Sequence, residues 1–264
     1  MRVVSLLFHD VYASDPHESG FRSPAADRYK LSVPNFEAQL DGLGDLRIPP
    51  ARRSSESEGG NPESRIPVVI TVDDGGISYY TVVADRLEAL GLRGHCFVST
   101  DFIGKRGFLT AAQICELDAR GHVIGTHSSS HPPRFSALTA ARMRAEWADS
   151  RRRLEDLLGR AVTVGSIPGG YFSADVARAA AETGLRTLFT SEPTAKPSVV
   201  DDCTLVGRFT IRRGHRPDMA RRFASAAPWT RCGAWIGWNA KALVKPMLGP
   251  SYARVADWIL EPNR

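Results

Sequence analysis

At 264 residues, with 42% hydrophobic, 24% charged and 8% aromatic side chains, the chain has an ordinary soluble globular composition and material for one large core or two small ones. The net charge of +5 comes from an arginine-heavy excess; it is compatible with an anionic partner such as nucleic acid, a lipid surface or a phosphorylated sugar, and its plainest meaning is solubility. No run approaches the roughly 18–20 apolar residues of a membrane span, and no zinc-finger spacing or aromatic RNA-binding pattern points to nucleic acid.

The opening stretch, MRVVSLLFHD, has one arginine and about six apolar residues before a His-Asp pair. That is too short for a signal-peptide core and lacks a small-residue cleavage site, so a cytoplasmic location is expected. Residues 3–8 predict a buried strand. SVPNFEAQLDGLGD predicts a short helix with Pro34 early in it and Gly44 past its end. Residues 47–67 are rich in Pro, Ser, Gly and charge with no apolar period, which predicts a mobile surface loop.

The pattern then becomes regular. A strand over 68–72 precedes a helix near 78–91; a strand over 94–99 leads to a helix over 110–120, stopped by Gly121. HVIGT predicts a short strand, and 139–158 a helix with Met143, Trp147, Leu154 and Leu158 on one side and arginines between. A strand over 162–167, a helix over 173–183 and a strand over 186–190 follow. This alternation predicts parallel strands wrapped by helices, as a barrel or a doubly wound sheet. From about Pro217 the chain reads as mostly helical, with three tryptophans beside Arg and Lys in PWTRCGAWIGWNAKALVKPML. That segment is expected to pack as a helix, with peripheral contact to a membrane surface as the second reading. Cys96, Cys115, Cys203 and Cys232 form no CxxC pair and are expected to be buried thiols.

In parallel α/β proteins function collects at the carboxyl ends of strands. Three polar clusters fall there: Asp73-Asp74 in VVITVDDGG, THSSSH over 126–131, and SIPGGYF over 166–172. Asp-Asp-Gly-Gly is compatible with a plain turn, but two adjacent carboxylates repel when desolvated, and a divalent cation removes that difficulty. His127 and His131 are four apart; Pro132 argues against a continuing helix and for a loop curling around an ion. Two imidazoles and one carboxylate suit zinc and its neighbours and leave a coordination position open for water. The second carboxylate is then free to act as a general base toward that water.

TVDDG followed by GHVIGTHSSSH resembles the first two motifs of the polysaccharide deacetylases, carbohydrate esterase family 4, which read T-F-D-D-G and G-H-E-I-G-N-H-[ST]-x-x-H. The resemblance covers about 66–191. It implies a distorted (β/α) barrel, here over 1–215, with the helical extension over 216–264 packed on it. It also implies one divalent metal, zinc with nickel or cobalt as substitutes, and hydrolysis of N-acetyl groups on an amino sugar or glycan. Carried over position by position, Asp73 is the general base and Asp74, His127 and His131 the metal ligands. The third motif, R-x-P-Y-G, reads SIPGG, so Ser166 stands where an arginine usually orients the base, and the Gly169 N–H is the expected oxyanion donor. The late L-x-H motif that supplies the general acid is missing. His9 in LLFHDV, with Asp10 beside it, resembles the Y-H-x-[VI] start of the permuted poly-N-acetylglucosamine deacetylase branch and is the preferred acid over His215.

Tyr171 and Phe172 are candidates to stack on a sugar ring, whereas His17, His95 and His122 are expected to be structural. Two competing readings keep the same cluster: a two-His-one-carboxylate iron oxygenase, and a carbohydrate-binding pseudoenzyme that retains the metal without turnover.

Overall fold

The computed structural model describes residues 2–44, 66–225 and 228–248, with backbone alone at 228 and 241–248. The loop expected over 47–67 lies outside the described residues except for its last two positions.

The apolar run at the N-terminus forms strand β1 (Val4–Phe8), buried at every position. Two short strands, β2 (Val11–Tyr12) and β3 (Leu31–Ser32), pair with each other around helix α1 (Pro24–Asp27). Ser32 then caps helix α2 (Val33–Leu40), accepting from Asn35 N–H, with Pro34 in the first turn, where a missing N–H costs nothing. The alternating region follows as β4 (Val68–Val72), α3 (Ala84–Ala89), β5 (His95–Val98), α4 (Ala111–Ala119), β6 (Val123–Thr126), α5 (Ala140–Leu158), β7 (Val164–Ser166), α6 (Ala174–Glu182) and β8 (Thr187–Phe189). The helix expected from 78 opens instead with a π-helical turn over Tyr79–Val83. There the Tyr79 hydroxyl reaches His122 Nδ1 at 2.8 Å.

Beyond β8 the chain makes β9 (Ser198–Val200), β10 (Cys203–Val206) and β11 (Phe209–Thr210), strands that the sequence pattern did not announce. They determine how the sheet curls. Its order is β11-β1-β4-β5-β6-β7-β8-β10-β9, parallel throughout except for β9 against β10. β10 extends the β8 edge while β11, two residues later, pairs with β1 at the other edge. One stretch of chain therefore bridges both ends of a curled half-barrel, and Gly207-Arg208 is its crossing point. Gly207 is required there: a Cβ would lie 2.5 Å from the Glu192 carbonyl oxygen and the Thr194 methyl.

Helices cover the outside of the sheet, as parallel strands buried on both faces demand. Helix α5 buries Met143, Glu146, Trp147, Ser150 and Leu154, an i, i+3, i+4 stripe that includes one carboxylate. Helix α7 (Met219–Ala224) packs its Phe223 ring on Phe209 at 5.0 Å, within the same core cluster as β1 and β4. Helix α8 (Pro228–Leu248) exposes Trp229, Trp235 and Ile236. The four cysteines are free thiols; Cys96 and Cys203 are buried, but Cys115 and Cys232 are exposed, contrary to expectation.

Candidate active site

The β1–β4 register pairs Phe8 with Val72, so His9 and Asp73 leave adjacent strand ends at one level. The Asp73 N–H donates to the Phe8 carbonyl at 3.2 Å. The next residue, Asp74, has φ 78, a left-handed conformation that non-glycine residues rarely adopt. Such strain persists where surroundings over-determine it, and it turns the two carboxylates apart. Below them Asp10 fills the space beside the turn: its Oδ1 accepts from the Ser19 and Ser78 hydroxyls at 2.6 and 3.0 Å. A Cβ on Gly76 would lie 1.7 Å from that oxygen, so the second glycine of the motif is a steric requirement.

Asp74 meets both histidines. Nε2 of His127 and Nε2 of His131 each lie 3.5 Å from Asp74 Oδ1. One ligand atom from each of the three residues fits within a mutual 4.8 Å, the one such group among the described residues. Donors around a four-coordinate ion with bonds of about 2.0–2.1 Å stand roughly 3.4 Å apart, so this spacing fits a divalent metal. The His127 ring has its Nδ1 2.9 Å from the Ser166 carbonyl; a carbonyl only accepts, so Nδ1 carries a proton and Nε2 is the nitrogen turned toward Asp74. Burial pushes the Asp74 carboxyl up, but the two imidazoles outweigh it and hold its pKa well below the usual carboxylate range. Burial likewise lowers His131, and Asp74 reverses the sign, raising it.

The loop between the histidines is held from α5. Buried Glu146 accepts from the Ser129 and Ser130 N–H groups at 3.1 and 2.8 Å and from the Ser130 hydroxyl at 2.7 Å. Ser128 (φ 65) accepts from the His131 N–H at 3.2 Å. The chain does leave the helical conformation before Pro132, with His131 in a left-handed turn, φ 52, rather than the extended geometry usual before a proline.

The residue the sequence reading missed is Arg208. It is fully buried at the crossing point of the sheet. Its guanidinium grips Asp73 with two bonds of 2.7 and 2.8 Å and donates to the Ser166 hydroxyl at 2.7 Å. Nε is taken by the Thr190 carbonyl at 2.9 Å. The Ser166 hydroxyl also donates to Asp73 at 3.0 Å. Thus the small residue at 166 leaves room for a guanidinium arriving from another strand, in the place beside Asp73. Burial alone would raise the Asp73 pKa; Arg208 and then His127 override it and lower it, so the carboxylate is ionised at neutral pH.

These groups share one cleft of about 500 Å³, whose wall includes His9, Asp73, Asp74, His127, His131 and Gly169. His9 stacks on Tyr29 with ring centroids 4.8 Å apart, and burial lowers its pKa while the two aspartates oppose that shift. His215 lies elsewhere, in a neighbouring pocket, where its Nδ1 accepts from the Arg212 N–H at 3.3 Å. Gly169 lines the cleft with φ 62. Neither Tyr171 nor Phe172 lines it; Phe172 faces a smaller adjoining pocket, and the aromatic wall of the cleft comes from Phe21, Tyr29 and Trp238. His95 packs against Phe97 and Phe189, where burial depresses its pKa to about 4. His17 pairs with Asp27 at the surface.

A curled, mostly parallel half-barrel with an Asp-His-His cluster at the carboxyl ends of its strands belongs to the α/β class with its candidate site at the strand ends, and comparison with known proteins narrows it. The family model described as polysaccharide deacetylase matches residues 60–188. YxkH of Bacillus subtilis (strain 168), assigned by name to the polysaccharide deacetylases, is 29% identical over 170 residues, 62% of this chain and 61% of its own length. A chitin deacetylase of Pestalotiopsis sp. is 29% identical over 106 residues, 40% of this chain and 34% of its own. The chain therefore spans less than two thirds of either relative. Among solved structures, the deacetylase PplD of Streptococcus pyogenes superposes with a TM-score of 0.66 at 18% identity, over 82% of this chain and 95% of that one. IcaB from Ammonifex degensii gives 0.65 at 20% identity, over 87% and 97%. The chain carries a polysaccharide deacetylase domain, and its half-barrel is the deacetylase fold.

Proposed function

We propose that this protein is a metal-dependent N-deacetylase that hydrolyses the acetamide of an amino sugar or glycan precursor, releasing acetate and a free amine. The observation that carries the reading is the division of labour between adjacent carboxylates: Asp74 faces two imidazoles at metal-ligand spacing, while Asp73 is held ionised by Arg208. Asp74, His127 and His131 would hold the ion; zinc suits this donor set, and nickel or cobalt would serve. When bound, a divalent ion supplies Lewis acidity toward the acyl oxygen and toward the attacking water.

The chain's own groups do the rest. Asp73 accepts the water proton. The Gly169 N–H donates to the oxyanion that develops on the acyl oxygen; such a donor is typically worth about 100- to 1000-fold in rate. His9, across the cleft, gives a proton to the departing amine, and Arg208 keeps Asp73 from rotating away. The pseudoenzyme alternative rested on the serine at 166 and the missing late histidine; Arg208 and His9 supply groups of the same chemistry from other strands, which favours turnover. An iron oxygenase of the same ligand set is expected on a jelly-roll, not on a parallel barrel. Peripheral membrane contact is a further part of the reading, supported by Trp229, Trp235 and Ile236 exposed on α8.

The test is acetate release from N-acetylglucosamine oligomers by zinc-loaded protein, with Asp73→Asn as the control. Release that falls by a thousandfold or more in the variant supports the reading; binding of oligomers with equal, negligible release by both proteins sinks it. Sedimentation with anionic vesicles checks the membrane contact: loss of binding in Trp235→Ser/Ile236→Ser is expected, and no binding by the parent protein contradicts it.

A further inference from the structure

We propose that Arg212, with Arg22 at the cleft rim, forms an anion subsite, and that the substrate is an N-acetylated amino sugar carrying a phosphate next to the carbon that bears the acetamide. The proposal rests on the deacetylase reading and names its substrate class.

The β1–β11 register pairs Leu7 with Thr210, so two residues further on Arg212 stands level with His9. Arg212, His9 and Asp73 thus occupy three neighbouring strand ends, at about 5 Å per strand. The Arg212 guanidinium lies over the Tyr29 ring, 5.5 Å from its centroid, and Tyr29 is the ring on which His9 stacks. Arg212 Nε is buried with no acceptor, and no carboxylate pairs with the guanidinium among the described residues. The cleft wall holds two cations, Arg22 and Arg212, and two carboxylates, Asp73 and Asp74. Both carboxylates are committed, one to Arg208 and one to the histidines.

A guanidinium at a partly desolvated wall without a counter-ion is costly. A neutral glycan leaves that cost standing, whereas a phosphate offsets it with two parallel charge-assisted bonds. Sugar connectivity matches the spacing. In a 2-acetamido sugar the anomeric carbon adjoins the one bearing the amide, so a phosphate there lies beside the acyl group and within reach of the strand two places along. The surrounding charge points the same way. Nine of the 34 Lys and Arg residues, against one of the 29 Asp and Glu residues, fall between Cys203 and Leu248. That local excess of eight, in a chain whose total excess is five, falls in the segment that supplies Thr210, Arg212 and Trp238 to the cleft wall.

The phosphate could belong to a soluble sugar phosphate or to a lipid-linked sugar, and the test separates the two. Acetate release by zinc-loaded full-length protein is measured with N-acetylglucosamine 1-phosphate, with methyl N-acetylglucosaminide, and with undecaprenyl diphosphate N-acetylglucosamine in vesicles. At least one phosphate-bearing probe is expected to exceed the methyl glycoside tenfold or more in kcat/KM. In Arg212→Gln that ratio should collapse toward one, chiefly through KM. Which phosphate probe shows the larger ratio identifies the source. A ratio near one for both phosphate probes in the parent protein overturns the subsite. So does a variant that slows all three probes equally, because Arg212 would then merely buttress Tyr29 and His9. Calorimetric binding of the same probes to Asp73→Asn, with and without Arg212→Gln, decides the matter if no acetate appears. A tenfold weaker phosphate probe in the double variant keeps the subsite while the deacetylase reading fails; unchanged binding overturns the subsite itself.

Discussion

Arg208 is the residue on which the candidate site turns. A carboxylate buried beside a second carboxylate, Asp74, needs a cation of its own, and the guanidinium that grips Asp73 arrives from the crossing point of the sheet rather than from the strand that carries Ser166. Arg208→Gln is expected to lower kcat about 10- to 100-fold with little change in KM, as loss of an outer positioning group does. It should also cost roughly 3–5 kcal/mol in urea unfolding, because Asp73 is left buried and uncompensated. An unchanged kcat would mean that Asp73 needs no such restraint. Asp10 gives a second residue-level prediction. Desolvation, then repulsion from Asp74, raises its pKa from 3.8 to about 6 despite the two serine hydroxyls. The folded chain therefore binds this proton over a window in which the unfolded chain has released it, so stability falls as pH rises from about 4 to about 6, by roughly 3 kcal/mol at most. Asp10→Asn should flatten that slope in denaturation curves taken across the window; an identical slope in both proteins contradicts the assignment. The two aspartates and the two histidines were legible in the sequence, because adjacent carboxylates and an HxxxH before proline are unusual as mere turns. Arg208 was not: a lone arginine in CTLVGRFTI reads as a solvated charge unless the apolar alternation at Leu205, Phe209 and Ile211 is taken to bury the whole stretch.

At the level of elements, the histidine loop depends on a helix far from it in sequence. Glu146, on the buried stripe of α5, receives two backbone N–H groups and a hydroxyl from the serines between His127 and His131. That explains the three serines, small donors that let the loop curl tightly while tying its backbone down. Glu146→Ala should weaken zinc affinity about 10- to 100-fold in competition with a chelator, the usual cost of losing an outer-shell partner. Affinity equal to the parent would show that the loop holds its shape alone. Helix α5 itself was readable from Met143, Trp147 and Leu154, and its end from Gly159, which takes the left-handed cap at φ 65. Glu146 was invisible as a core position because hydropathy patterning assigns carboxylates to the solvent face. The π-helical turn over Tyr79–Val83 had no sequence signal beyond a continuing helix.

Across the whole molecule, repeated strand–helix alternation predicted parallel strands under helices, and the curled sheet has that architecture. What the pattern could not supply was closure. β9, β10 and β11 are three, four and two residues long, too short for a periodicity to register, yet the β10–β11 segment brings Arg208 and Arg212 to the site. The helical reading from Pro217 meets α7 and α8, and α7 packs on the sheet, since Ala220 and Phe223 belong to the core that holds β1 and β4. The sheet thus collects, from the ends of β1, β4 and β6, a metal-spaced cluster, an ionised carboxylate and an imidazole in one cleft, with Arg208 gripping that carboxylate from the β10–β11 crossing point. The most direct test of that account is metal content against turnover in one preparation: elemental analysis and acetate release for the parent protein and His131→Ala, each stripped and reloaded with zinc. About one zinc per chain with zinc-dependent release in the parent, and loss of both in the variant, is the predicted result. Zinc retained equally by the variant, or release that survives stripping, would contradict it.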